Sequence, residues 1–300
     1  MKKLLFTCAA ASLTAGSAFA ADMAPRTYSK APAPVIAPVA NWTGCYVGGG
    51  GGYGMWNQEN TGYADPGSFG EGAPLVRTRI TDTVTTGGRG YFGTVQGGCD
   101  YQFALGTYNL VVGAFGDYDF ANLKGNHSPP GFSVIGSQDL VAQEKMTSAW
   151  SVGGRIGWLV TPSLLTYFSA GYTEAKFDSQ NYTNLNGPPF GVLQNVYTPG
   201  QTYKGYFIGA GDEYALKFLP GLFWKTEYRF SEFDTKTNPI LSTTTNLPTG
   251  YSEDSKKFVH TVRSELVYPL QLGWPGRREV LISAKSAGQK APASSEAFFL

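Results

Sequence analysis

Charged side chains at alternate positions are the groups in this chain best placed to do chemistry. Lys225, Glu227 and Arg229 are separated by Thr226 and Tyr228. Because successive side chains of a strand point to opposite faces, the three charges share one face and the intervening residues share the other. Ion pairing along one face of a sheet is therefore the chemistry that this spacing predicts.

Enzymatic chemistry has little support in the sequence. The two histidines, His127 and His260, fall in a predicted long loop and a predicted strand, without the ligand spacing of a zinc site. No nucleophile elbow or phosphate loop is present, and no helix follows the glycines at 48–52 as a dinucleotide site requires. We expect no enzyme and no cofactor; a barrel protease or acyltransferase is the enzymatic alternative.

The N-terminus predicts export. Lys2 and Lys3 precede a short apolar stretch, and Ala18-Phe19-Ala20 supplies the small residues that a signal peptidase accepts. We expect a cleaved signal peptide at 1–20. The Ala- and Pro-rich stretch at 21–41 has no periodic pattern and is interpreted as an extended periplasmic linker.

Composition favours strands over helices after the linker. The chain contains 39 Gly, 18 Tyr and 19 Phe, with 15% charged residues. No later segment has the ~18 consecutive apolar residues of a membrane helix, so a bilayer could be crossed only by a closed barrel. A net charge of +1 gives no reason to expect nucleic acid. A soluble β-sandwich is the alternative fold.

The connections between strands favour the barrel. Short gaps alternate with gaps of twenty residues or more, as in an antiparallel up-and-down barrel with short periplasmic turns and long extracellular loops. The predicted loops, at 57–90, 121–144, 178–204 and 235–256, would face host or environmental ligands. The eight predicted strands are Trp42–Trp56, Tyr91–Phe103, Tyr108–Phe120, Lys145–Val160, Leu164–Phe177, Gly205–Leu216, Leu222–Asp234 and Lys257–Tyr268.

Strand parity assigns a polar interior. Apolar and aromatic residues such as Trp150, Trp158 and Val262 fall on the outward side. The interior of an eight-stranded barrel is only wide enough for side chains to fill, so the inward charges should pair and plug it. The predicted network comprises Asp117, Arg155, Glu213, Lys225, Glu227, Arg229, Arg263 and Glu265.

Two cysteines remain after removal of the signal peptide. If Tyr53 faces Tyr91 across the first hairpin, Cys45 lies opposite Cys99, and the periplasm permits oxidation. We hypothesise a disulfide between them; two separate thiols are the alternative.

Several segments resemble a known family. Residues 41–49 read Asn-Trp-Thr-Gly-Cys-Tyr-Val-Gly-Gly, residues 209–216 read Gly-Ala-Gly-Asp-Glu-Tyr-Ala-Leu, and residues 261–268 read Thr-Val-Arg-Ser-Glu-Leu-Val-Tyr. Together with the Ala-Asp-Met-Ala-Pro start at 21–25, these resemble the outer-membrane immunogenic proteins of alphaproteobacteria, OmpA-like eight-stranded barrels of the porin family. The resemblance covers the chain to Tyr268. The family has an aromatic residue where Cys45 and Cys99 stand.

The C-terminus departs from that family. Its members continue after the last Val-Tyr as Arg-Phe-Asn-Trp-Gly-Gly-Pro-Val-Val-Ala-Lys-Tyr and stop. One base deleted from a codon string for Pro269–Ile282 produces that ending and its stop codon. We hypothesise a single-base insertion just after Tyr268, either real or introduced by sequencing. We therefore expect a barrel at 42–268 and a disordered tail at 269–300, and we expect Pro269 to interrupt the closing strand.

The expected role is structural or antigenic, in the outer membrane of a Gram-negative cell. Its expected partners are outer-membrane lipid, lipopolysaccharide and the barrel-assembly machinery. A small passive diffusion pore and a surface receptor for a ligand such as haem are the alternative functions.

Overall fold

A computed structural model describes residues 41–67, 74–128, 140–184, 193–219 and 221–270. The predicted signal peptide, the linker up to residue 40 and the tail after Leu270 lie outside these residues. The described strands are β1 Gly44–Ala64, β2 Thr78–Arg79, β3 Val84–Leu105, β4 Tyr108–His127, β5 Leu140–Thr161, β6 Leu164–Phe177, β7 Gln180–Asn184, β8 Leu193–Thr198, β9 Gln201–Ala215, β10 Phe223–Phe233, β11 Lys236–Ser242 and β12 Pro248–Leu270.

Eight of these twelve described strands form a closed, antiparallel barrel. Around the ring the order is β1, β3, β4, β5, β6, β9, β10 and β12, and β12 pairs with β1 to close it. β7, β8 and β11 prolong the walls of β6, β9 and β10, and they pair with β5, with each other and with β12. The ring therefore stays closed beyond the ends of β6, β9 and β10. The predicted up-and-down fold is confirmed.

Short turns close one end of the barrel, which we call the turn end. The β3–β4 turn passes through Gly106 at φ 63° and the β9–β10 turn through Gly221 at φ 88°, conformations that a residue without a Cβ adopts without strain. β1 begins at this end and β12 finishes at it, so that Cys45 lies opposite Leu270. We call the other end, where the long connections lie, the distal end.

The predicted loop limits are wrong at the distal end. β1 continues to Ala64, β4 reaches His127, β5 starts at Leu140 and β12 starts at Pro248, so much of each predicted loop is barrel wall. The wall here has polar side chains on both faces, which removes the alternation of polar and apolar residues on which the strand limits were based.

The closing strand also runs further than predicted. β12 includes Pro269, which lies opposite Tyr46, and ends at Leu270. Proline lacks only its own amide donor, and a position near the end of a strand tolerates that loss. Pro269 therefore does not interrupt the strand.

The interior consists of alternating apolar and charged layers. Inward side chains of β12 pass through every layer, because this strand spans the whole described length of the barrel. From the turn end to the distal end they include Val267, Glu265, Arg263, Val259, Lys257, Glu253 and Tyr251.

Candidate functional site

The charged layer nearer the turn end, which we call the lower network, contains all eight residues of the predicted network. Each of the eight is buried. Among the three arginines of this layer, Arg155 of β5 lies nearest the turn end. Its Nη1 donates to Glu213 of β9 at 2.7 Å, and its Nε donates to Asp100 of β3 at 3.0 Å. The guanidinium fork suits two carboxylates at once, so Arg155 ties three strands together across the lumen.

Arg229 and Arg263 occupy the middle of the same layer. Arg229 Nη1 lies 2.9 Å from Asp117 and its Nε lies 3.0 Å from Glu227. Arg263 Nη2 lies 3.0 Å from Asp119. Arg229 therefore links β10 to β4 across the interior, and Arg263 links β12 to β4.

Lys225 completes the layer with three further contacts. Its Nζ donates to Gln96 of β3 at 2.7 Å and lies 3.3 Å from Glu227 and 3.5 Å from Glu265. A buried ion is tolerated when paired and hydrogen-bonded, and both conditions hold for Lys225.

Three lumen partners were not in the predicted network. Asp100, Asp119 and Gln96 are buried and bonded to it. Parity places Asp119 on the inward side with Asp117, and the same parity applied to β3 finds Gln96 and Asp100. Strand parity alone was therefore enough to place these three side chains in the lumen. Which charged residue each of them contacts depends on the register of the strands around the ring.

A second charged layer, which we call the distal cluster, was missed altogether. Lys257 Nζ lies 2.6 Å from Glu144, and His127 Nε2 lies 3.0 Å from Glu253. Gln58 Nε2 donates to Glu144 at 2.6 Å. His127 was predicted to lie in a loop, whereas it ends β4 and is fully buried.

Electrostatics favour a charged His127–Glu253 pair. Burial alone would lower the pKa of His127, but the adjacent Glu253 carboxylate outweighs it and raises that pKa above its ordinary value. Burial likewise opposes ionisation of Glu253, but the imidazolium holds its pKa below the usual range. Burial lowers the pKa of Lys257, against the pull of Glu144.

Cys45 and Cys99 are joined. Tyr53 lies opposite Tyr91 and Cys45 opposite Cys99, and a disulfide links β1 to β3 near the turn end. Both side chains lie on the outward-facing side of their strands.

The outer face of the barrel carries an apolar belt between two aromatic rows. Within the belt, Val152, Ile156, Ile208, Val262 and Leu266 are about half exposed. The turn-end row comprises Tyr101, Tyr108, Trp158, Trp224 and Tyr268, and the distal row comprises Tyr53, Tyr91, Phe120, Trp150, Tyr172, Tyr206 and Tyr228.

A small cavity lies within the barrel near its turn end. This cavity of about 20 Å³, lined by Trp42, Tyr46, Asp100 and Phe223 among others, is large enough for about one water molecule. Among the described residues, no group of three or more His, Cys, Asp or Glu side chains is placed to hold a metal ion. No helix in this part of the chain is long and apolar enough to cross a bilayer.

Comparison with known proteins gives structural likeness alone. No family model and no curated protein matches the chain. The structures it resembles include Ail, the attachment invasion locus protein of Yersinia pestis, at 11% identity, TM-score 0.29, covering 75% of this chain and 99% of that one. They also include the outer membrane protease OmpT of Escherichia coli, at 13% identity, TM-score 0.35, covering 75% and 97%.

The outer membrane protein AlkL, determined in lipid bilayers, is a further neighbour, at 13% identity and TM-score 0.39, covering 84% of this chain and 100% of that one. These neighbours are outer-membrane proteins. At such identities and TM-scores they carry no argument about activity or ligand, so the fold assignment rests on the strand pairing described above.

Proposed function

We propose that the protein is an integral outer-membrane barrel with a structural or surface-antigen role and a lumen closed to diffusion. The observation that carries this proposal is an inside-out arrangement, with buried ion pairs within the ring and half-exposed Val, Ile, Leu and aromatic side chains outside it. A soluble sandwich would bury that apolar belt in a core. Outer-membrane barrels expose such a belt to hydrocarbon and flank it with aromatic rows.

The cell compartment is part of the same proposal. The sequence at 1–20 has the features of a cleaved signal peptide, and the chain is similar to the outer-membrane immunogenic proteins of alphaproteobacteria. The turn end would then face the periplasm and the distal end the cell surface. On this basis the two aromatic rows mark the interfaces, and the distal cluster lies outside the membrane-spanning part.

The filled lumen favours a plug over a pore. Arg155, Arg229 and Arg263 each bridge opposite walls, and apolar clusters lie above and below them. An ion would have to break several buried pairs to pass. His127 is fully buried and bonded to Glu253, so its imidazole is not exposed to bind haem.

Heat-modifiable migration and bilayer conductance together test the proposal. The membrane-extracted protein should stay compact in detergent until it is boiled and then migrate more slowly. In a planar bilayer it should add no stable conductance steps. A soluble protein without the mobility shift would contradict the membrane assignment, and regular conductance steps would contradict the plug.

A further inference from the structure

Three cations, which we call the cation row, lie side by side on the outer wall just beyond the distal aromatic row. Arg89 of β3 stands directly opposite Lys124 of β4, and Lys124 stands opposite Lys145 of β5. Asp178 donates its amide to the Lys145 carbonyl at 2.9 Å, but its carboxylate forms no ion pair with the lysine. Like charges directly opposite on a sheet destabilise it, so a bound anion would relieve the repulsion within the row.

Cations on the other side of the barrel have partners. Lys204 Nζ lies 3.7 Å from Glu174, and Lys256 Nζ lies 2.7 Å from Glu232. Within the described part of the chain, no carboxylate lies within ion-pair distance of the cation row. Among the described residues, other cations such as Lys176 of β6 and Lys236 of β11 also form no ion pair, but those of the cation row stand directly opposite one another.

The same three strands carry a groove within the apolar belt. Its volume is about 330 Å³. Glycines facing each other on β3 and β4 form its floor, and about six strand residues, or roughly 20 Å, separate it from the cation row. Its outward lining residues are Val95, Gly97, Gly116, Tyr118, Trp150 and Val152.

We infer that the outer wall of β3, β4 and β5 binds a phosphorylated lipid of the outer leaflet, with the headgroup phosphate on the cation row and an acyl chain in the groove. This inference rests on the proposed membrane location. Arg and Lys are the side chains suited to phosphate, and Arg89 adds a bidentate fork. The separation of row and groove matches the length of one acyl chain, which selects a lipid over a soluble anion.

Binding of lipid A to the full chain in neutral nanodiscs tests the inference. The probes are diphosphorylated lipid A and the same lipid after enzymatic removal of its phosphates, with retention measured by native mass spectrometry. The phosphorylated form should bind at least about tenfold more tightly. Equal retention of the two forms would overturn the assignment.

A triple variant locates the site. Arg89→Gln with Lys124→Gln and Lys145→Gln should lose about tenfold or more in affinity. The matched control removes three positive charges from the other side of the barrel, through Lys204→Gln, Lys236→Gln and Lys256→Gln, and should change affinity by less than about twofold. Equal loss in both triples would mean that overall charge, and not this site, attracts the lipid.

A groove variant tests the acyl-chain half of the site. A Cβ at Gly116 would lie 3.5 Å from the Ser151 carbonyl oxygen, an ordinary contact, so Gly116→Leu should fold. Its side chain would fill the groove and weaken lipid A binding. Unchanged affinity in this variant, or displacement of lipid A by millimolar inorganic phosphate, would contradict a lipid site.

Heat-modifiable migration of every variant separates the two proposals. Variants that stay compact until boiling but lose lipid A support the site. If the unmodified protein shows no mobility shift, the membrane location itself fails. If it shows the shift but does not retain lipid A, only the present inference fails.

Discussion

Arg229 illustrates the interactions that fix a charged side chain in the lumen. Its guanidinium bonds Asp117 and Glu227 and lies 4.2 Å from the centre of the Phe207 ring. Removing one partner of a buried pair leaves the other charge without compensation, which costs several kcal/mol, whereas exposed pairs contribute little.

Arg229→Met is therefore expected to lower the free energy of unfolding by about 3–5 kcal/mol. The measurement is the urea midpoint of the protein in neutral lipid vesicles. Lys256→Met is the matched control, because it removes an exposed cation from the Lys256–Glu232 pair, and its midpoint should stay near that of the unmodified protein. Similar midpoints for both variants would argue against a stabilising network.

His127 is expected to make stability depend on pH. Its folded pKa is raised above 6.5, so its contribution is fully present below that pH and is lost as pH rises through the folded value. The pKa of Glu253 is lowered below 4.5, so its contribution is present above that pH and is lost in acid. Both contributions are therefore complete between pH 4.5 and 6.5.

Unfolding midpoints at a series of pH values check this expectation. The unmodified protein should lose stability as pH rises above neutrality, and His127→Gln should remove that loss. A His260→Gln variant is the control, because that histidine is on the outer wall, bonded to Tyr228 at 2.8 Å. An unchanged slope in His127→Gln would refute the charged pair.

At the scale of elements, the two faces of the glycine run in β1 differ in whether they have room for a side chain. An added Cβ at Gly50 would collide with the backbone of Ser264 and Glu265, whereas one at Gly49 would make an ordinary contact with Thr94. Because Gly50 has no side chain, β12 can approach β1 closely enough to pair with it and complete the ring.

Gly50→Ala should destabilise the closing β1–β12 pair by about 1–3 kcal/mol, because the two strands must move apart. Gly49→Ala should behave like the unmodified protein. The fraction of protein that refolds to the compact form in detergent measures both effects. Equal refolding of the two variants would show that the closing strands can shift at little cost.

The disulfide joins β1 to its other neighbour in the ring, β3. It closes a loop of 54 residues between β1 and β3, and such a loop corresponds to about 4 kcal/mol in the chain-entropy account. Cys45→Ser with Cys99→Ser should lower the urea midpoint in vesicles. Thiol counting under denaturing, non-reducing conditions checks the bond, and two free thiols would exclude it.

Strand parity predicts which side chains face inward, but not which of them meet. The positions of Arg155, Lys225 and Arg229 followed from alternation alone. Arg229 and Asp117 lie 112 residues apart, so their contact depends on the stagger accumulated around the ring. The distal cluster was missed for a different reason: His127 and Glu144 lie in wall segments that are polar on both faces and therefore resemble loops.

At the scale of the whole molecule, apolar and charged layers alternate along the axis of the barrel. Apolar clusters separate the lower network from the distal cluster, so the two sets of charges do not contact each other. Each layer can be tested by its own substitution, and we expect their effects on stability to add.

The length of β12 determines how far from the membrane this protein could present a foreign peptide inserted into it. Its 23 residues extend about 75 Å along the strand, or roughly 50 Å along the axis at a 45° tilt, against about 30 Å of hydrocarbon. In the proposed membrane location, about 20 Å of barrel wall would thus lie outside the hydrocarbon. A foreign peptide grafted between Asn184 and Leu193, where β7 ends and β8 begins, would be presented on that wall beyond the hydrocarbon.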